Sequence, residues 1–273
     1  MQLYSRTSEG KIISATLAEK KMNYICLECE GLVRVRGGIH RQNHFYHPQS
    51  SSSCSQTGKS MVHLQVQCQL QKLISDVELE KPFPEIKRIA DVVWESKKII
   101  FEVQCSSIRA EEVADRNRDY GSLGYQVVWI LHDHRFNQFR ISAAEEYLQD
   151  HPHYYTNMDM EGKGVIYDQF HWIQNGIQRV RFEQLKVSLL NVNTLTSLQS
   201  HSDWIKRRVS SWPFFFEGDL VSRVMLGENC EYLDRMLEVE RGMKRSFWRS
   251  YLSRWVVRPY RLFFQLFLEM CCR

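Results

Sequence analysis

The order of apolar and polar residues between positions 60 and 131 predicts alternating helices and strands. Residues 60–75 place apolar side chains at helical intervals, and residues 109–122 form a second helical segment that ends near two glycines. Four short segments rich in valine and isoleucine have the composition of β-strands: residues 77–83, 88–94, 99–105 and 125–131. The last strand follows a helix and can therefore lie parallel to its neighbour. The pattern thus predicts an α/β (α+β) fold, a mixed sheet flanked by helices.

Weaker patterns flank this central region. The polar, serine-rich stretch before residue 58 has the composition of a loop. Asn175-Gly176 lies between two apolar runs and predicts a hairpin, and the chain from Trp212 onward is predicted to be helical. We therefore expect an N-terminal module, a central domain and a C-terminal hairpin and helical region, at residues 1–58, 59–150 and 151–273.

Two acidic residues occupy matching positions in adjacent predicted strands. A symmetric turn at Glu95–Lys98 would place Asp91 opposite Glu102. Facing like charges destabilise a sheet, and a bound Mg²⁺ or Mn²⁺ would offset them. Gln104 points to the same face as Glu102, and Glu80 on the preceding strand is a candidate third carboxylate. The alternative is that these acids face solvent or pair with basic residues.

Side chains on the two predicted helices are candidates to complete this site. His63 and Gln67 are one helical turn apart on the first helix, so both can face the acids. Arg116 and Tyr120 have the same spacing on the second helix and suit a phosphate and a nucleotide base. The alternatives are a packed histidine and a solvated helix face.

The N-terminal module carries a C-x-x-C pair, Cys26 and Cys29, and an H-x-x-H pair, His44 and His47. Thiolate and imidazole are the ligands that zinc prefers. A glycine-containing hairpin between the pairs would bring the histidines back to the cysteines, so we expect a structural, zinc-ribbon-like site. Cys54 is a spare thiol that can replace one histidine. The alternative is a reduced C-x-x-C with redox chemistry.

Composition adds two expectations. Eight cysteines, with no signal peptide at the N-terminus, indicate thiols or metal ligands and a cytoplasmic protein. The net charge of +4 indicates no particular partner, but from Arg241 onward eight basic residues stand against one acid. In this segment arginines such as Arg249 and Arg254 alternate with aromatic residues. This composition suits single-stranded nucleic acid, an anionic membrane surface, or packing on the preceding domain.

Taken in order, the motifs resemble those of the competence protein CoiA family. The order is Y-x-C-x-x-C, G-x-x-x-x-x-H-F-x-H, a later cysteine, a histidine-bearing helix, R-x-A-D-V, E-V-Q-C-S, R-x-x-x-Y and a strand ending in W-I-L. The resemblance covers about residues 1–132 and rests on Tyr24, Cys26, Cys29, Gly38, His44, Phe45, His47, Cys54, His63, Arg88, Ala90, Asp91, Val92, Glu102, Val103, Gln104, Cys105, Ser106, Arg116, Tyr120, Trp129, Ile130 and Leu131.

The resemblance implies a restriction-endonuclease-like core of the PD-(D/E)xK type. Asp91 and Glu102 would be its metal ligands, and Gln104 stands where the superfamily usually has lysine. Two further departures lie on the first helix, where the family usually reads E-S-x-x-H-x-x-x-K. Here Lys59 replaces the acid and Gln67 replaces the lysine. These changes leave Arg116 as the obvious protein cation for a phosphate.

We therefore expect a metal-dependent deoxyribonuclease that processes DNA in natural transformation. Mg²⁺ (or Mn²⁺) would activate water, Gln104 would orient it, Arg116 would hold the phosphate and His63 would assist. The alternative is a non-catalytic DNA-binding recombination protein with a degenerate nuclease fold. The expected partners are DNA, single-stranded DNA in particular, recombination or DNA-uptake proteins, and a membrane surface at the C-terminal segment.

Overall fold

The computed structural model describes residues 1–39, 41–49, 54–174, 177–194, 202–225, 230–257 and 259–263. The N-terminal module is an antiparallel sheet of five short strands, in the order β2-β1-β3-β4-β5. These strands are β1 (Tyr4–Arg6), β2 (Ile12–Ser14), β3 (Tyr24–Ile25), β4 (Leu32–Gly38) and β5 (Arg41–Tyr46). Their core combines Tyr24, Val33 and Phe45 with cysteine side chains. A core this small gains stability when a metal ion is bound.

The central region follows the predicted order of elements. Helix α1 begins after Ser60, whose hydroxyl accepts the backbone N–H of His63 and so caps the helix. The elements are α1 (Met61–Leu73), β6 (Glu78–Phe83), β7 (Arg88–Trp94), β8 (Ile99–Gln104), α2 (Ala110–Ser122) and β9 (Gln126–His132). Two tight turns join β6 to β7 and β7 to β8, each closed by a lysine with left-handed φ, Lys87 and Lys98.

The C-terminal region contributes strands as well as helices. Its elements are α3 (Ala143–Leu148), β10 (His153–Thr156), β11 (Ile166–Asp168), β12 (His171–Gln174), β13 (Ile177–Arg181), β14 (Leu185–Lys186), β15 (Ser188–Thr194), α4 (Asp203–Ser211), β16 (Phe214–Glu217), α5 (Leu220–Met225) and α6 (Cys230–Leu252), followed by a π-helical turn at Ser253–Val257. Strands β12 and β13 pair as the predicted hairpin. Strand β16 lies where we expected helix, because its phenylalanines are buried against the sheet.

Seven strands form one mixed sheet in the order β14-β11-β10-β9-β8-β7-β6. Strand β9 is parallel to both β8 and β10, and the other pairs are antiparallel. The buried side chains of α1 join the core on one face, and those of α2 and α3 join the core on the other. The predicted mixed sheet flanked by helices is confirmed. It continues past the expected boundary at residue 150, since β9 and β10 are neighbours.

The register of β7 and β8 brings the two acidic residues to the same level of the sheet. Val92 pairs with Phe101 and Trp94 with Ile99, which is the register that the symmetric turn predicted. Residues two apart in a strand normally point to the same face of the sheet. Ala90, however, packs in the core on the side of α2, and Val92 packs in the core on the side of α1. The alternation therefore changes at Asp91. This irregularity turns Asp91 toward α1, while Glu102 keeps its place on the α2 face.

No helix in the described part of the chain combines the length and apolar character needed to cross a bilayer.

Candidate functional site

Asp91 lies at the centre of a buried hydrogen-bond network. Its Oδ1 is 2.8 Å from Lys59 Nζ and 3.0 Å from both His63 Nε2 and Gln67 Nε2. Its Oδ2 accepts the backbone N–H of Val103 at 2.9 Å. Burial alone would raise the pKa of Asp91, but His63 and Lys59 outweigh it and hold this pKa well below its usual range. Asp91 is therefore a carboxylate with every oxygen engaged.

Lys59 is the cation that balances this carboxylate. Its ammonium is buried and bridges Asp91 and Glu80, whose Oε1 lies at 3.2 Å. Burial would lower the pKa of Lys59, but the two acids raise it above its usual range, so the side chain stays charged. The other oxygen of Glu80 accepts the N–H groups of Leu3 and Tyr4 at 2.7 and 2.9 Å, which ties strand β1 to the site. In the sequence, Lys59 was noted only because it replaces the acid that the family usually has at this position. Its pairing with Asp91 was not predicted.

Glu102 is balanced separately, by helix α2. Its Oε2 accepts a hydrogen bond from Arg116 Nη1 at 2.5 Å. Its Oε1 is buried and accepts no well-formed hydrogen bond from the described residues, although the hydroxyl of Tyr120 lies nearby. Burial raises the pKa of Glu102, and Asp91 adds to the rise, although Arg116 opposes it. The contact with Tyr120 also opposes the rise, so each oxygen of Glu102 has a neighbouring donor.

Two predicted DNA contacts have different surroundings. Arg116 is one-fifth exposed and also donates to Glu112 at 2.9 Å. Tyr120 is fully buried, with its ring 5.8 Å from that of Phe83. A ring in the core offers no face to a base, so Arg116 is the member of this pair that can meet a phosphate. The side chains of Arg249 and Arg254 lie outside the described residues.

A cleft of about 260 Å³ lies at the end of β8, beside Asp91, whereas the buried Glu102 is covered by Arg116 and is not among the residues that line it. Lys59, His63 and Asp91 form one side of it, and Arg116 forms the other. Gln104 lies at its edge, where the amide donates to the backbone carbonyl of Ser106 at 2.8 Å. The cleft is also bordered by residues that precede α1, so the N-terminal module closes one end of it.

The side chains of this site can be compared with the ligands that a divalent metal ion requires. Carboxylate oxygens are the ligands that Mg²⁺ prefers, but Glu102 is already paired with Arg116 and lies beside the Tyr120 hydroxyl. The oxygens of Asp91 are already engaged, so a metal must displace Lys59 from Oδ1. No group of three or more acidic, histidine or cysteine ligands surrounds Asp91 among the described residues. Asp91 and Glu102 are the residues that would supply oxygen ligands to a divalent metal, which would compete with Lys59 for Asp91.

A second cluster lies in the N-terminal module. Cys26, Cys29, His47 and Cys54 each offer a ligand atom, and these atoms all lie within 4.8 Å of one another. Cys26 Sγ is 3.7 Å from Cys54 Sγ, and Cys29 Sγ is 3.3 Å from His47 Nε2. A tetrahedral zinc ion with Zn–S bonds of about 2.3 Å would place its sulfurs roughly 3.8 Å apart. The cluster has the composition and the spacing of a structural zinc site.

The identity of the fourth ligand in this cluster differs from the sequence prediction. His44 was expected to bind the metal, but its ring is buried elsewhere and accepts a hydrogen bond from Arg36 Nε at 2.9 Å. The two residues face each other across β4 and β5, so the strand register directs His44 away from the cysteines. Cys54, the spare thiol, takes the place of His44 beside Cys26.

The central sheet carries two buried acids, Asp91 and Glu102, on adjacent strands between its flanking helices. The family of the competence protein CoiA nuclease-like domain matches residues 56–202, just over half of the chain, and the chain belongs to this family. Comparison with curated proteins and with solved structures gives no match.

Replacing Cys54 by serine should remove the bound metal, whereas replacing His44 by glutamine should not. Serine supplies no thiolate, so the cluster keeps only three ligands, while His44 contributes none. Metal analysis of protein purified without added zinc, before and after mild chelation, measures the difference. Zinc retained by Cys54→Ser and lost from His44→Gln would contradict the assignment.

Proposed function

We propose that this protein acts on DNA during natural competence and hydrolyses phosphodiester bonds at the cleft between α1 and α2. The observation that carries this proposal is the pair of buried acids Asp91 and Glu102 on adjacent strands of a nuclease-like domain, with pKa values shifted in opposite directions. Ionisable groups with strongly shifted pKa values are concentrated at functional sites.

The roles of the side chains follow from their contacts. Asp91 and Glu102 would hold Mg²⁺ or Mn²⁺, which would lower the pKa of a bound water and offset charge on the phosphate. Arg116, partly exposed and already paired with Glu102, would bind the scissile phosphate. Gln104 would orient the attacking water from the edge of the cleft. His63 would orient Asp91 through its hydrogen bond, and burial lowers the pKa of His63 although Asp91 opposes the shift.

A second function is favoured by one specific observation. Lys59 balances the negative charge of Asp91, so Asp91 does not require a metal ion for this purpose. A domain of this kind can hold a DNA backbone without cutting it. In that case the protein would be a DNA-binding accessory factor of recombination, and cleavage would be absent under all metal conditions.

Glu102→Gln should abolish cleavage of labelled single- and double-stranded DNA in Mg²⁺ or Mn²⁺. The amide keeps the shape of the side chain but removes its charge, and we expect a loss of at least about a hundredfold. Glu111→Gln is a matched control, since Glu111 is exposed on α2 and does not line the cleft. Gel analysis with unchanged circular dichroism measures the effect. DNA binding without cleavage by the wild-type protein would instead favour the accessory factor.

Lys59→Gln should destabilise the protein in EDTA, and Mg²⁺ should restore much of the loss. Removing one partner of a buried ion pair costs about 3–5 kcal/mol, because the remaining carboxylate is uncompensated. A divalent ion that binds the vacated oxygen stabilises the native state in proportion to its affinity. Thermal unfolding with and without Mg²⁺ measures the rescue, and Lys87→Gln, at the exposed rim, is the control. Equal destabilisation in both buffers would show that no metal binds at Asp91.

A further inference from the structure

A second cavity, of about 310 Å³, lies apart from the cleft at Asp91. It is bordered by strand β12 and by helices α3 and α4. The reaction proposed above uses none of its residues. Its walls combine aromatic rings, two consecutive arginines and several polar groups that have no partner within the described structure.

Four unpartnered nitrogen atoms belong to three residues that line this one cavity. They are both ring nitrogens of His171, Nε of Arg208 and Nε1 of Trp212, all buried and without a well-formed hydrogen bond to the described residues, although the backbone of Gln169 lies close to the His171 ring. Native proteins leave few buried polar groups unsatisfied, so a cluster of them requires an explanation. Three of these groups can donate a hydrogen bond. A ligand rich in acceptors would satisfy them.

The imidazole of His171 is suited to hydrogen-bond to the edge of an uncharged heterocyclic ring. Burial lowers its pKa to about 3, and the neighbouring His153 adds to the effect, so the imidazole is neutral. A neutral imidazole carries one donor and one acceptor. A nucleobase edge carries both kinds of group side by side, whereas a phosphate offers acceptors alone.

The aromatic residues supply stacking surfaces and the arginines supply charge. Trp204 and Trp172 are half-buried at the cavity, and the ring of Trp204 lies 4.9 Å from that of Phe170 at an angle of 33°. The guanidinium of Arg208 lies 3.7 Å from the centre of the Trp212 ring. Arg207 is 68% exposed and pairs with the exposed Asp150, so its guanidinium is accessible to a phosphate in solvent.

We propose that this cavity binds one nucleotide unit. The base would stack on Trp172 and Trp204 and hydrogen-bond to His171, and Arg207 would pair with its phosphate. Stacking on aromatic rings beside basic residues is the way in which single-stranded nucleic acid is commonly held. The same chemistry fits a free nucleotide. The proposal is independent of cleavage at Asp91 and Glu102.

The test uses the full-length protein in EDTA, so that cleavage has no part in the result. The probes are a fluorescein-labelled oligothymidylate, followed by anisotropy, and unlabelled dTMP and dAMP, followed by calorimetry. His171→Phe keeps an aromatic ring of similar size but removes both nitrogens, and we expect affinity to fall about tenfold. The free protein should keep or raise its melting temperature, because the change removes unsatisfied polar atoms.

Arg207→Ala should weaken binding and reduce its dependence on salt concentration, since one phosphate contact is lost. Arg118→Ala is the matched control, because Arg118 is equally exposed, pairs with a neighbouring aspartate and lies on α2 away from the cavity. We expect its affinity to stay at the wild-type value.

The two kinds of probe separate the two sources of the nucleotide. Loss of oligonucleotide binding in both cavity variants, with no mononucleotide binding by the wild type, would assign the site to a DNA strand. Mononucleotide binding that is lost in His171→Phe would assign it to a free nucleotide. If neither variant changes the affinity for either probe while both remain folded, the proposal is wrong.

Discussion

The ion pair between Asp91 and Lys59 is the interaction on which the site and its surroundings depend. A buried carboxylate is stable only when charge and hydrogen bonds replace the water it has lost. Here Lys59 supplies the charge, α1 supplies two side-chain donors, and β8 supplies a backbone N–H. Through Glu80 the same lysine reaches the N–H groups of strand β1. One charge pair therefore joins the first helix, the central sheet and the N-terminal module.

This arrangement also changes how the acidic pair is understood. Two carboxylates at one level of a sheet require compensation, and a metal was the first candidate. The structure compensates each of them with its own protein cation, Lys59 for Asp91 and Arg116 for Glu102. A metal at this site must therefore compete with a protein ammonium for Asp91.

Local patterns in the sequence were sufficient for the central fold. The helices, the strands and the register of β7 with β8 follow from periodicity and from one symmetric turn, because these features depend on neighbouring residues. What the sequence could not supply depends on distant contacts. The direction of the His44 ring is set by pairing with Arg36, and the exclusion of Tyr120 from solvent is set by packing across the sheet. The role of Lys59 depends on three elements that are distant in the sequence, because this residue precedes α1 and bridges Glu80 on β6 and Asp91 on β7.

Whether a buried polar group is hydrogen-bonded distinguishes residues that stabilise the fold from residues that can bind a ligand. Asp91 is buried and fully hydrogen-bonded, so its network is structurally complete. By contrast, nitrogen atoms of Arg208 and Trp212 are buried without a hydrogen bond in the described part of the chain, and the ring of His171 beside them has no well-formed one. Desolvation without compensation is unfavourable, and a ligand that supplies the missing partner regains that free energy on binding. The described structure thus has two cavities at which a ligand can act, one lined by Asp91, Lys59 and Arg116 and the other by His171 and aromatic rings.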